Sequence, residues 1–309
     1  MFTQINASSP EGQGRIALAI RLGLGSVFII GGYAKLERLL TPSKSEAIVD
    51  QYVGPLGYIN QTFLDWLFVG PLGAYLSPWT FLTALSTFEL VAGLMLVAGL
   101  MVRPLALIWA FLLWSFVVSL PVVTTPGVSP GAETYMSPAA FVQIRDIALS
   151  GFFFALYNLG AGSGSIDAAR FGLPRSLGRD WESLGLLLRL SLGAVFVIGG
   201  LFAGYSNITT FGMPGLLLTV VGAGLLAGIG TRVFAAAAAA ILLWYMATKL
   251  IGAAGVVGYL NAVKREIALL AVAGVLATVG GGRMFTADRW HTGLSGWLLT
   301  YFGRTEPKS

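Results

Sequence analysis

The chain has 309 residues, of which 56% are hydrophobic and only 11% charged, with a mean hydropathy of +0.78 and a net charge of +5. A soluble domain of this length needs far more charge to cover its surface, so the composition describes a polytopic membrane protein. Cysteine is absent, which excludes disulfide relays, thiolate metal sites and iron–sulfur ligation; the single histidine, His291, lies beyond the last apolar segment and excludes a bis-histidine haem.

Crossing a bilayer as helix takes about 20 predominantly apolar residues. Windows at 16–34, 80–101, 104–124, 141–159, 184–204, 213–230, 232–252 and 265–282 qualify, giving an expected all-α protein of eight transmembrane helices. No ten-residue alternation of polar and apolar positions recurs, which argues against a transmembrane barrel. The N-terminal stretch is polar and uncharged apart from Glu11, and no small-residue cleavage motif follows the first apolar run, so that run is expected to be a retained anchor.

The first segment contains LAIRLGLGSVFIIGG from Leu18 to Gly32, and the fifth nearly rewrites it as LLLRLSLGAVFVIGG from Leu186 to Gly200, with Arg21 and Arg189 in register. Further along, GLMLVAGLMVRPLA (93–106) corresponds to GAGLLAGIGTRVFA (222–235), and Arg145-Asp146 to Arg265-Glu266. Four helices therefore match four helices in the same order. An even unit begins and ends on one side, so the expected architecture is two parallel-repeat four-helix bundles. Residues 1–160 form the first unit, 161–183 a small, polar and basic cytoplasmic linker, 184–282 a degenerate second unit and 283–309 a cytoplasmic tail.

The long connection at 35–79 is rich in aromatics (Tyr52, Tyr58, Phe63, Trp66, Phe68, Tyr75, Trp79) broken by Gly-Pro pairs, and is expected to form short helices roofing the first bundle. The second copy has no equivalent. Arg15, Arg103, Arg170, Arg175, Arg179, Arg232, Arg283, Arg289, Arg304 and Lys308 fall on one side of the expected topology, against Lys35, Arg38, Lys44, Lys249, Lys264 and Arg265 on the other. The positive-inside rule then puts both termini in the cytoplasm, and the basic balance reports topology instead of a nucleic-acid surface.

Ionisable groups inside such helices cost roughly 2.5–3.5 kcal/mol each on insertion scales and mark functional candidates. Glu89, near the middle of the second helix, is the sharpest; Lys35 lies at the outer end of the first, one short step from Tyr33. The repeat puts Leu218 and Ala203 where these two stand. Arg21 and Arg145 are candidate partners for Glu89 and Asp146, with a snorkelling arginine and a local interfacial Arg145-Asp146 pair as the structural alternatives. Lys35 with Arg145 could bind an oxyanion, and Trp109 and Trp114, with Phe28 and Trp79, could line a flat apolar slot. Arg103 and Arg232 look like cytoplasmic anchors.

The patterns R-L-x-x-G-x-x-F-x-x-x-G-Y-x-K at Arg21 to Lys35, E-x-x-x-G-L at Glu89 to Leu94, G-x-x-x-R at Gly99 to Arg103 and R-D-x-A-L at Arg145 to Leu149 resemble the DoxX/DoxD superfamily of four-helix membrane proteins. The whole chain looks like a tandem fusion of two such units. The resemblance implies a prokaryotic inner-membrane protein and, through DoxD, a thiosulfate:quinone oxidoreductase that joins two thiosulfates into tetrathionate and reduces a diffusible quinone. On that basis Lys35, Arg145 and Arg21 would bind the dianion, Glu89 and Asp146 would be the catalytic carboxylates, and Tyr33, Trp79, Trp109 and Trp114 would hold the quinone. With no haem, iron–sulfur or nucleotide motif in the chain, a partner subunit is expected to supply any redox relay. A non-catalytic accessory subunit of a larger respiratory or photosynthetic complex and an oxyanion transporter are the alternatives.

Overall fold

The structure is a computed structural model, and it describes residues 6–121, 125–129, 131–134, 137–172, 176–202, 212–253 and 255–287. His291, Ala203, Arg175, Arg289, Arg304 and Lys308 lie outside the described residues, as do most of the connection at 205–212 and nearly all of the expected tail.

Among the described residues the long elements are α1 (Pro10–Leu39), α4 (Pro78–Ala98), α5 (Val102–Ser119), α6 (Ala139–Leu159), α8 (Trp181–Leu201), α9 (Gly215–Ala227), α10 (Thr231–Ile251) and α11 (Gly255–Val279). Between α1 and α4 come α2 (Pro42–Val53), α3 (Gln61–Leu64), a π-helical turn at Asp65–Val69 and a 3-10 turn at Pro71–Ala74. A short α7 (Ile166–Phe171) follows α6, and a two-residue antiparallel pair joins Glu133–Thr134 to Ser137–Pro138.

Six of these helices, α1, α4, α5, α6, α8 and α10, are long and apolar enough to cross a membrane. The segment expected at 213–230 forms only the 13-residue α9, and α11 carries Lys264, Arg265 and Glu266 in succession. The first helix is longer than its apolar window. Ser9 caps it, its side chain accepting from the Gly12 N–H with Pro10 in the first turn, and it continues to Leu39. Lys35 is thus inside α1 and not at the start of a loop.

The stretches that resemble each other in sequence make similar close helix contacts. Where α1 crosses α4, a Cβ on Gly93 would lie 2.7 Å from the Ile29 nitrogen and 2.9 Å from the Gly25 carbonyl oxygen. Where α8 crosses α9, one on Gly222 would lie 2.5 Å from the Val197 nitrogen and 2.6 Å from the Gly193 oxygen. Both pairs of helices touch backbone to backbone, which substitutes for a hydrophobic drive that lipid does not provide.

Two further pairings, α5 with α6 and α10 with α11, complete the repeated set. The halves then interlock: α1 packs broadly against α11 and α6 against α8, more extensively than α1 meets α6 or α8 meets α11. One apolar core accordingly draws Leu24, Phe28 and Phe153 from the first half and Leu188, Leu242 and Leu269 from the second. A smaller cluster of Leu39, Ile48, Tyr52, Tyr58, Leu82, Leu120 and Val142 seats α2 and its neighbours on the end of the first half.

A bulky side chain at either glycine crossing should force these helices apart. Gly93→Leu and Gly222→Leu are each expected to lower the thermal midpoint of the detergent-solubilised protein by several degrees or prevent its assembly. Gly274→Leu, where a Cβ meets nothing within 4 Å, should leave the midpoint almost unchanged.

Candidate functional site: a roofed cavity with a charged wall

Two arginines that the repeat shares lie at the end of the bundle opposite the α2–α3 roof. Arg21 donates to the carbonyls of Ala161, Ser163 and Gly164, and Arg189 to those of Leu225, Leu226, Met284 and Phe285. Each guanidinium therefore gathers backbone acceptors that lipid could not satisfy. Gly99 (φ +73°) and Gly228 (φ +69°) end α4 and α9 beside them, and a Cβ at either would strike the guanidinium of its half.

Asp167 adds a remote cap, accepting from the backbone N–H groups of Met101 (2.8 Å) and Val102 (2.9 Å) at the start of α5. The segment after α6, expected as a plain linker, is thus pinned into the fold. Arg21 is thus engaged with backbone carbonyls and does not line the cavity at the roofed end. Arg103 and Arg232 likewise donate to the carbonyls of Tyr157 (3.2 Å) and Val279 (3.5 Å).

The other ionisable pairs meet at the roofed end. Arg145 and Asp146, adjacent on α6, do not pair with each other. Arg145 Nη1 donates to Glu266 Oε1 at 2.8 Å, and Arg265 Nε donates to Asp146 Oδ1 at 2.9 Å. Adjacent residues on a helix point about 100° apart, so each dyad sends its two charges in different directions and finds complements on α11. The local interfacial pair is replaced by two bridges that cross between the halves. The guanidinium of Arg145 also lies 4.0 Å from the Phe141 ring centroid.

Glu89 on α4 accepts from the ammonium of Lys35 on α1, both side chains being buried. Neither has a counterpart in the second half, where the described Leu218 packs into the core. The Tyr58 hydroxyl, delivered by the roof, donates to Asp146 Oδ2 at 2.5 Å. The roof is held by backbone and side-chain contacts to α5: the Asn60 N–H donates to the Ser119 carbonyl at 2.7 Å, and Ser119 Oγ donates to the Tyr58 carbonyl at 3.2 Å.

Beneath this roof is a cavity of about 360 Å³. Its apolar walls come from Phe28, Tyr52, Phe63, Trp66, Phe81 and Phe116, and its charged wall from Lys35, Glu89, Asp146, Lys264 and Arg265 with Tyr58. The volume is at the lower end of ordinary small-molecule sites, and the pattern of apolar walls with a few converging polar groups is the usual one.

Of the residues singled out in the sequence, Lys35, Glu89 and Asp146 line the cavity, and Arg145 does not reach it because it is turned to Glu266. Of the aromatics assigned to a ring-binding slot, Phe28 lines the cavity and Tyr33, Trp79, Trp109 and Trp114 do not. Tyr33 is 51%, Trp114 43% and Trp79 42% exposed on the outer helix faces. Trp79 Nε1 donates to the Leu39 carbonyl at 3.1 Å. Trp109 is fully buried behind the cavity, its ring centroid 3.7 Å from that of Phe28. The ring-facing aromatics are mostly those of the roof, whose density the sequence displays. Arg265 could be suspected only as a member of the Arg265-Glu266 dyad, and Lys264 only from its place beside it.

Gly31 keeps the cavity open at the charged wall. A Cβ there would stand 3.5 Å from Lys264 Nζ and 3.6 Å from Glu89 Oε2, an ordinary contact. Gly31→Ala should therefore be tolerated, whereas Gly31→Leu should fill the cavity and abolish ligand binding without lowering the thermal midpoint by more than a few degrees.

Breaking one cross-half bridge should be far more damaging. Arg145→Gln leaves Glu266, whose side chain is 0% exposed, without its cation, at a cost of about 3–5 kcal/mol. The double variant Arg145→Met with Glu266→Leu should recover most of that loss, as read by thermal unfolding in detergent.

A family model described as DoxX matches residues 16–120, a stretch that runs through α1, the roof, α4 and α5. No curated protein and no solved structure matches the chain. The match covers the elements that build most of the cavity, so residues 16–120 of this multi-pass membrane protein are similar to DoxX proteins.

Proposed function

We propose that the chain is the quinone-binding membrane subunit of a redox complex, most concretely a thiosulfate:quinone oxidoreductase of the DoxD type, and that the cavity under the roof receives the quinone ring. The observation that supports this most directly is the cavity itself: aromatic walls of the right scale for one flat ring, closed at one side by buried carboxylates and cations. Phe28, Phe116 and Tyr58 would flank the ring, and roof residues Phe63 and Trp66 would exclude water. Glu89, held by Lys35, and Asp146, held by Arg265 and Tyr58, are the groups placed to move protons.

The reaction balances as two thiosulfates losing one electron each to form the central S–S bond of tetrathionate, while quinone takes two electrons and two protons. The dianion-binding role that the resemblance assigns to Lys35 and Arg145 is not supported by their geometry, since each is matched to a carboxylate. Oxidation of thiosulfate is accordingly assigned to a partner subunit, with the ring and its protons handled here.

The membrane arrangement proposed with this function has eight spans, two repeated halves and both termini in the cytoplasm of a prokaryotic inner membrane. In it α9, at about 20 Å, is a short span held by its glycine crossing, and α11 hides its three charges against α1 and α6. The roof then faces outward and the arginine clamps face the basic cytoplasmic side.

The test is quinone reduction by the complex as purified from membranes. Glu89→Gln is expected to slow turnover about a hundredfold while ring binding, followed by quenching of Trp66 fluorescence, persists. Unchanged turnover in that variant would remove Glu89 from the proton path. A wild-type protein that binds no quinone would end the proposal.

A further inference from the structure

The charged wall of the cavity does not balance. Lys35 is matched by Glu89, and Arg265 by Asp146, which also accepts from Tyr58. Lys264 is left over. Its ammonium donates to Asn261 Oδ1 at 2.7 Å, and no carboxylate lies within salt-bridge distance of it among the described residues. An ammonium has three donors, so two remain for something else.

Position makes this more than a surface lysine. Lys264 belongs to α11, in the second half, yet it lines the cavity that the first half and its roof enclose. It faces the space above Gly31, opposite Glu89 Oε2, where the missing Cβ leaves room. A buried cation on a wall whose other charges are already paired gains most from a ligand oxygen that carries charge.

We infer that Lys264 is the recognition cation of the cavity, holding an anionic oxygen on the head of an otherwise apolar, ring-bearing ligand. This rests on the ring-binding function proposed above and narrows its ligand class: a ring with an ionised hydroxyl or a comparable oxyanion adjoining it. It also gives the second half a role in the site. The second half carries no counterparts of Lys35 and Glu89 in its sequence, but it contributes a cavity cation that no acid among the described residues neutralises. Lys35, Arg265 and the carboxylates Glu89 and Asp146 form two neutral pairs, so the charge presented to the ligand is that of Lys264.

Two probes of one ring system separate the possibilities: an alkyl hydroxynaphthoquinone, whose enolic hydroxyl is ionised at neutral pH, and the same alkyl naphthoquinone without the hydroxyl. Binding of each to the full-length protein in nanodiscs is measured by tryptophan quenching. Wild-type protein is expected to prefer the ionised ring by about tenfold or more, the scale of a hydrogen bond to a charged group. In Lys264→Met that preference should vanish while the neutral ring binds as before, which also reports an intact cavity. Lys264→Arg should retain a preference for the anion.

Equal binding of both probes by wild type overturns the inference and leaves the ring-binding function standing. So does a preference that survives in Lys264→Met, and so does loss of both probes there, since a recognition group should not be needed for the neutral ring. Wild-type protein that binds neither probe overturns the ring-binding function and this inference together.

Discussion

Charge within an apolar bundle has to find its complement inside the protein, and here the complements are exchanged between the first and second halves of the chain. Arg145 bonds to Glu266 and Arg265 to Asp146, so the two dyads at equivalent positions satisfy one another and not themselves. Alone in a helix, each group would cost roughly 2.5–3.5 kcal/mol on insertion scales. Satisfied only across the interface, they penalise any arrangement in which α6 and α11 are not brought together. The close helix crossings at Gly25–Gly93 and Gly193–Gly222 build each half, and the exchanged bridges set how the halves meet.

Symmetry at one level makes asymmetry at another informative. The guanidinium clamps of Arg21 and Arg189, the left-handed glycines beside them and the dyads recur in both halves and serve the fold. Lys35, Glu89 and the aromatic roof occur in the first half alone and surround the cavity. The first half supplies most of the cavity lining. Yet the second half is not inert, because its Lys264 and Arg265 reach into the cavity wall.

The wall combines three kinds of group at short range: paired ions, a tyrosine hydroxyl on a carboxylate, and one cation without an acid partner among the described residues. In a low-dielectric setting such networks hold their geometry tightly, since removing one member leaves another buried without a partner. Tyr58 ties that network to the roof, and Ser119 and Asn60 tie the roof to α5. The cavity is therefore closed by elements that are themselves fastened to the charges they cover. The apolar remainder of the lining comes from side chains of ordinary core type, Phe28, Leu82 and Leu113 among them.

Hydropathy and periodicity in the amino-acid order were enough to place the six long apolar helices and the unusual ions within the bundle, while the expected spans at 213–230 and 265–282 did not form long apolar helices of that kind. The polar clusters and Gly-Pro pairs likewise announced the short helices of the roof, because turn chemistry and aromatic density are local properties. Partner identity was not local. Glu89 finds Lys35 across 54 positions and Arg145 finds Glu266 across 121, choices set by which faces of α1, α4, α6 and α11 turn toward each other. The same azimuths sent Tyr33 and Trp114 to the outer faces, buried Trp109 behind Phe28 and drew Arg21 to backbone carbonyls. Sequence alone determined which residues are costly to bury, since that cost is a property of the side chain in an apolar segment. Only the tertiary structure decided what relieves it, because relief requires two groups within hydrogen-bond reach, and that depends on how separate helices are rotated and packed.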